Sequence, residues 1–582
     1  MIERAQALAA LTEDEFDLVV VGGGITGAGV ALDAASRGYS VALVERADFA
    51  SGTSSRSSKL VHGGLRYLQN FDLGLVREAL LERQLMVQLA PHLVHPLPLV
   101  VPAFEGARPD RLVGVGLNLY DVMSVDRDRL RSRRGRKAAA EGAGEAEESW
   151  SPARHRVITG EEVLELLPAL AAREPTSGYL FYDCQTDDVR LVLTVLGEAE
   201  RFGAVCANRL EVTGLLESSG HAEGVHVRDV ETGGVFDVRA ANVVNATGVW
   251  ADQLRPQELH VEAELPRIRP SRGTHVTIRH EDLPLVGGAI VPAGSGRSIF
   301  ALPWLGHTLL GTTDNDYEGP LEHIEPAAED VDYLLEAVNA FFGSELGPEH
   351  LTGAFAGVRP LISTGDPKKS VDISRKAELY ETSSGMITIT GGKLTTWRRM
   401  AKMTVDRMVE REAREAPCRT HEIPLGQAVT VEELPHVEGM EPAAYAALAA
   451  RYGHSAHSVL ALAAERGELA QPVVPGLPDV LAEVALAARH EQARSIGDVL
   501  LRRTRLGLLA ARELIAPSTE AEPGPVRRVG DVLARELGWD QARLAHELEG
   551  FAEEARSEGI TSVANDTAGT SRAPEPSLDA GA

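Results

Sequence analysis

The chain has 582 residues, 44% of them hydrophobic, a make-up expected of a soluble globular protein with more than one domain. Its formal net charge of −27 repels polyanions and sets nucleic acid aside as a partner, although a few arginines and lysines converging in one cleft can still bind an anionic metabolite. The three cysteines, Cys184, Cys206 and Cys418, lie far apart and form neither a disulfide framework nor a metal-ligand pattern, so no metal is expected. A reduced cytoplasmic setting is expected, because MIERAQALAALTEDEF places acids where a secretion signal has its apolar core. No window approaches the roughly 20 apolar residues needed to span a bilayer, so any membrane contact is peripheral.

Along the chain, the first strong element is FDLVVVGGGITGAGVALDAASRGYSVALVER (16–46). Residues 18–21, with Phe16 before them, predict a buried parallel strand. Gly22, Gly24 and Gly27 then supply Gly-x-Gly-x-x-Gly: one for the tight turn, one for close approach of a pyrophosphate, one for packing of helix on strand. The free N–H groups of the helix that follows face the phosphates. A second strand, VALVE, ends in Glu45, where a carboxylate meets ribose hydroxyls and disfavours a 2′-phosphate.

Residues 72–90 have helical apolar spacing and stop at Pro91. LVGVGLNLYDVM (112–123) is apolar and is followed by the basic RDRLRSRRGRK, then by a small, acidic run; 127–150 is expected to be an exposed insertion. Residues 205–247 are strand-like around the turn ETGG (231–234). The expected organisation is an oxidoreductase unit over 15–430, a helical C-terminal domain over 431–556 rich in alanine, leucine and glutamate, and a disordered polar tail over 562–582.

FAD and NAD share the glycine fingerprint, and three later segments favour FAD. NVVNATGVWADQL (242–254) is a strand running into Ala-Thr-Gly, with Gly248 at its end. LLGTTDND (309–316) resembles the usual returning strand. TITGGKLTTWRRMA (388–401) is a strand, a glycine pair and a helix start, whose N–H groups suit the pyrimidine edge of a flavin.

Several motifs together then resemble one family. SSRSSKLVHGGLRYLQ (54–69), YDCQTDDVRLV (182–192), NATGVWAD (245–252), RGTHV (272–276), GTTDNDY (311–317), GVRPL (357–361) and GGKLTTWR (391–398) are similar to aerobic, FAD-dependent glycerol-3-phosphate dehydrogenase. The likeness spans about 15–425 and extends more weakly through RHEQARSIGDVLLRRTRLGLL (489–509). The resemblance implies an α/β fold of the glycine-oxidase type: a Rossmann-like FAD-binding domain interleaved with an antiparallel-sheet substrate domain, plus a helical C-terminal domain. It implies oxidation of sn-glycerol 3-phosphate to dihydroxyacetone phosphate, with hydride passing from C2 to flavin N5 and electrons onward to a respiratory quinone. Peripheral attachment at the inner face of the cell membrane and a homodimer are also implied.

A phosphomonoester with nearly two negative charges calls for arginines in bidentate geometry. By resemblance these are Arg359 and Arg375, with Arg66 and Tyr67 completing the substrate pocket. Lys393, in the glycine-pair loop beside Gly392 and Leu394, is placed to hold either the flavin or the substrate. Thr53, Ser58, Lys59 and Leu60 are expected along the FAD. Loss of the 2-hydroxyl proton needs a base, for which His62 and His275 are candidates; His62 is favoured as base and His275 as a substrate-positioning group, without the sequence ordering them. The acidic YDCQTDD (182–188) suits interdomain hydrogen bonding rather than phosphate contact, and Cys184 is given no catalytic role. The competing expectations are a glycerol-3-phosphate oxidase using oxygen, a flavin amine oxidase, and a non-catalytic FAD-binding regulator.

Overall fold

The computed structural model describes residues 3–64, 73–105, 114–121, 123, 154–257, 259–294, 297–363, 376–516 and 523–560. Arg66, Tyr67, Arg375, the 127–150 insertion and the 562–582 tail lie outside the described residues.

The glycine fingerprint forms the turn it predicts. Strand β1 (Glu15–Val21) ends at Gly22, and helix α1 (Ile25–Ser36) begins with Gly24 as its N-cap. Strand β2 (Val41–Val44) returns parallel to β1, with Leu18 opposite Val41. β1 is buried on both faces because its side chains feed two cores in alternation: Leu18 and Val20 meet α1 and the helix Asp188–Arg201, while Val19 and Val21 meet residues such as Leu210 and Val225. On the far side of β2 lies β3 (Val205–Ala207), and on the other side of β1 lies β4 (Val235–Asn245), all parallel in the sheet core. The crevice at the carboxyl end of β1, between neighbours β2 and β4, is where the connections diverge, and ligands of such sheets bind there.

A second, ten-stranded sheet is built from the intervening chain. Its centre is the long antiparallel pair β5 (Ile268–Arg279) and β6 (Leu351–Ile362), registered with Ser271 opposite Arg359 and His275 opposite Phe355. One pairing in this sheet, Gly288–Pro292 with His95–Ala103, is parallel. The strand at 309–311 belongs to the second sheet, where His307–Gly311 pairs antiparallel with β5. The local strand pattern was real, but it carries no information on which sheet receives it.

The chain returns to the first sheet with β7 (Ile387–Gly391), parallel to β4, and then forms helix α2 (Trp397–Arg411), which packs on α1. The predicted helix near 72–90 spans Leu73–Leu89. Beyond residue 440 the described chain is mainly helical and includes α3 (Ile496–Arg502) and α4 (Gln541–Ser557). These helices share one continuous apolar cluster with the second sheet, Val276, Leu351 and Ala354 packing with Val484, Leu500 and Leu533. No helix among the described residues is long and apolar enough to cross a membrane.

Candidate active site

The crevice at the end of β1 opens into a cleft of about 1340 Å³. Its lining includes Gly22, Gly24, Glu45, Thr53, Gly248, Gly392, Lys393 and Leu394, eight of the cofactor positions expected from the sequence. Gly27 works from behind. A Cβ there would lie 1.9 Å from the Gly22 carbonyl oxygen, so only glycine lets α1 sit this close under the turn. Gly27→Ala is therefore expected to open the turn and yield protein without flavin colour, read from the visible absorbance of the purified chain; a normally coloured variant would refute this role.

Glu45 receives N–H donors on both carboxylate oxygens, from Gly23 at 2.7 Å and Ala47 at 2.8 Å. Burial pushes its pKa up against the pull of those donors. The carboxylate is thereby fixed at the strand end in an orientation that suits a ribose diol. Ile25 N, in the first turn of α1, donates to Ser54 Oγ at 3.0 Å, tying the helix start to the 53–55 turn. Trp250 Nε1 is buried in the cleft wall and has no hydrogen-bond partner among the described residues, with the Arg46 guanidinium stacked 5.3 Å from the ring centroid. A carboxylate at the ribose position, a helix N-terminus, an unmet donor and a glycine-pair loop in one cleft fit FAD.

Expected substrate residues gather on the second sheet. Alternation puts Ser271, Gly273 and His275 of β5 on one face with their partners Arg359, Gly357 and Phe355 of β6. Arg359 Nη2 donates to Thr312 Oγ1 and to the Thr313 carbonyl, each at 3.0 Å, and Nη1 lies 3.3 Å from Asp314. The guanidinium lies over Gly273, where an added Cβ would come within 2.3 Å of Nη2.

His275 is 2% exposed, stacks on Phe355 with ring centroids 4.8 Å apart, and shares a 2.9 Å hydrogen bond between Nε2 and Ser58 Oγ. Its Nδ1 is buried and has no partner among the described residues. Burial, followed by the like charges of Lys59 and Arg359, holds its pKa well below the ordinary histidine value, so the ring is neutral. His62 is half-buried, and its backbone N–H donates to Thr395 Oγ1 at 3.1 Å, joining the HGG loop to the turn after the glycine pair.

Ser58, Lys59 and Leu60 are absent from the cleft lining; Ser58 points its hydroxyl at His275 instead. Lys59 is fully buried, donating from Nζ to Ser55 O at 2.6 Å and Asp188 Oδ2 at 2.7 Å, and it lies 4.8 Å from the Phe355 ring centroid. Desolvation, and then the charge of Arg505, pull its pKa down to about 7. Leu60 begins the short strand Leu60–Val61.

The acidic run at 182–188 is structural. Asp183 accepts from Arg83, Tyr120 and Gly63 N; Asp187 caps the helix Asp188–Arg201; Asp188 binds Lys59 and Arg505. Cys184 is buried, its thiol pushed up to about 12 by desolvation, and is inert at neutral pH. The sequence reading missed Asp48, Ser54, Trp250 and Arg505. A signal existed for the last: RRTR stands in an apolar, helix-spaced run where a solvated face is excluded.

Comparison with known proteins agrees with this geometry. Residues 17–407 match the family described as FAD dependent oxidoreductase, and 418–544 match the C-terminal domain of alpha-glycerophosphate oxidase. The chain is 36% identical over 573 residues to glycerol-3-phosphate dehydrogenase 2 of Mycobacterium tuberculosis, covering 97% of this chain and 92% of that one. It is 34% identical over 525 residues to aerobic glycerol-3-phosphate dehydrogenase of Bacillus subtilis, covering 86% and 89%. A crystal structure of glycerol-3-phosphate dehydrogenase from Bacillus halodurans complexed with FAD superposes with a TM-score of 0.73 at 27% identity, covering 96% of this chain and 97% of that one.

Proposed function

The chain belongs to the FAD-dependent glycerol-3-phosphate dehydrogenase family, and from that premise we propose that it oxidises sn-glycerol 3-phosphate to dihydroxyacetone phosphate and delivers the electrons to a respiratory quinone. Bound FAD supplies the acceptor for the hydride that leaves C2. The remaining work falls to the protein: to bind the phosphate, orient C2, and take the proton of the 2-hydroxyl.

The observation that carries this reading is the shared face of β5 and β6. His275 and Gly273 are two residues apart, about 7 Å along a strand, and the Arg359 guanidinium lies over Gly273. That separation suits a three-carbon phosphomonoester, with phosphate on Arg359 and the C2 hydroxyl at the imidazole. His275 is neutral and has Ser58 on one ring nitrogen, leaving Nδ1 to meet the substrate. These features favour His275 as the base, reversing the order the sequence alone suggested, with His62 orienting the substrate from the HGG loop. Arg66, Tyr67 and Arg375 remain proposed substrate contacts on the strength of the family motifs. Lys393, in the cleft wall beside Gly392, is assigned to the flavin edge.

A quinone acceptor requires access to a membrane surface. Residues 114–121 are helical, with Val115 66% exposed and Leu119 38% exposed, and the basic run follows in sequence. This supports peripheral contact through that segment. The test is a reoxidation race: protein reduced anaerobically with sn-glycerol 3-phosphate is mixed with a quinone analogue or with oxygen. Faster reoxidation by the quinone analogue is expected; preferential reaction with oxygen would make the chain an oxidase, and no flavin bleaching at all would remove the substrate assignment.

A further inference from the structure

The helical C-terminal region sends three buried arginines out of its own fold into the segment that lines the cofactor cleft. Arg502, at the end of α3, donates from Nε to Asp48 Oδ2 at 2.7 Å. Arg503 grips the same carboxylate with two parallel bonds, 2.8 Å to Oδ2 and 2.9 Å to Oδ1. Arg505 reaches Ser55 O at 3.1 Å and Asp188 Oδ1 at 2.9 Å, the carboxylate that also holds Lys59. Asp48, Arg503 and Arg505 are all 0% exposed.

Asp48 sits three residues after the ribose-facing Glu45, and the turn it anchors is tied back to the glycine fingerprint by Ala50 N donating to Gly23 O at 3.0 Å. The grip of the two arginines is thus relayed through one short turn to both the carboxylate and the phosphate-binding loop. Beside these arginines, α4 walls the cleft with His546, Gly550 and Glu554, Glu554 lying 3.7 Å from Arg502, and Glu558, which follows α4, accepts from Arg56 Nη2 at 2.6 Å and lies 3.1 Å from His323 Nδ1. Buried ion pairs contribute little net stability compared with apolar packing of the same volume, because desolvation offsets the attraction. Their bidentate geometry instead fixes where a loop sits.

We propose that the helical C-terminal region is a clasp on the cofactor: the Asp48 pairing with Arg502 and Arg503 holds the 45–51 turn closed around FAD, the Arg56–Glu558 pair latches the segment that follows this turn, and release of FAD requires these contacts to open. Asp48, Arg502 and Arg503 are therefore positioning residues for the cofactor, although none is expected to touch the reacting atoms.

The test uses purified full-length holoenzyme and measures the rate of FAD release into a trapping excess of an unrelated apoflavoprotein. Asp48→Asn keeps the side chain's size but removes the charge. It is expected to release FAD about tenfold faster or more, the scale of one charge-assisted hydrogen bond, with activity restored by added FAD and the KM for glycerol 3-phosphate unchanged. Release at the wild-type rate, or lost activity while FAD stays bound, would overturn the proposal. If Asp48→Asn does not fold, Glu558→Gln at the rim decides: faster release supports the clasp, and an unchanged rate refutes it.

Discussion

Replacement of His275 by glutamine is expected to slow anaerobic flavin reduction by sn-glycerol 3-phosphate by on the order of 10³-fold while leaving FAD bound, in the range lost with a general base. Glutamine preserves a polar atom near the Nε2 position, and so a partner for Ser58, but it has no basic lone pair to take the hydroxyl proton. The pH dependence has a definite sign. A base works when deprotonated, and desolvation, Lys59 and Arg359 all oppose protonation of this ring. The acid limb of kcat/KM is therefore expected well below 6.5, with activity retained as the pH falls through that value. A limb at or above 6.5, or a large loss in His62→Gln with little in His275→Gln, would return the role of base to His62.

Arg359→Met is expected to lower kcat/KM for glycerol 3-phosphate by on the order of 10³-fold. Removing one partner of a desolvated, hydrogen-bonded charge pair costs about 2–5 kcal/mol, and a factor of ten in affinity is about 1.4 kcal/mol. Methionine keeps much of the length and apolar contact over Gly273, so the loss reports the guanidinium rather than a cavity. Free glycerol, which lacks the phosphate, supplies the control: wild type and variant should handle it equally poorly. Arg359→Lys should recover only part of the loss, since an ammonium cannot donate in a fork. Equal defects on glycerol and on its phosphate would instead assign Arg359 to holding residues 312–314, where it already bonds Thr312 and Thr313.

How much of this was legible in the sequence follows from how local each feature is. Gly22, Gly24, Gly27 and Glu45 were legible because one βαβ unit fixes their relation through backbone geometry alone. The alternation of FAD-binding and antiparallel segments followed from family likeness, and the helical character of the C-terminal region from its composition. Arg359 and His275 were named as candidates by motif, but their common face depends on the pairing of β5 with β6, whose registered residues lie some 80 positions apart, as His275 and Phe355 do. The strand near 309 was recognised, but its place in the second sheet depends on the same long-range pairing. Asp48 with Arg503, and Asp188 with Arg505, were out of reach: they pair across 455 and 317 positions, and a lone charged residue does not announce its partner. Ser58 was expected to lie along the cofactor; only the fold shows that its hydroxyl meets His275.

The shared core of the second sheet and the C-terminal helices bears on how this protein is made. A ribosome delivers the glycine turn long before Arg502 and α4, which finish the cleft. At about 5–20 residues per second, the interval between these events is from about half a minute to two minutes. Through that interval the nascent chain carries a half-walled cleft and an apolar sheet face awaiting helices not yet synthesised. On the clasp proposed above, FAD is held firmly only once these helices have emerged, and until then the apolar face of the second sheet lacks its cover.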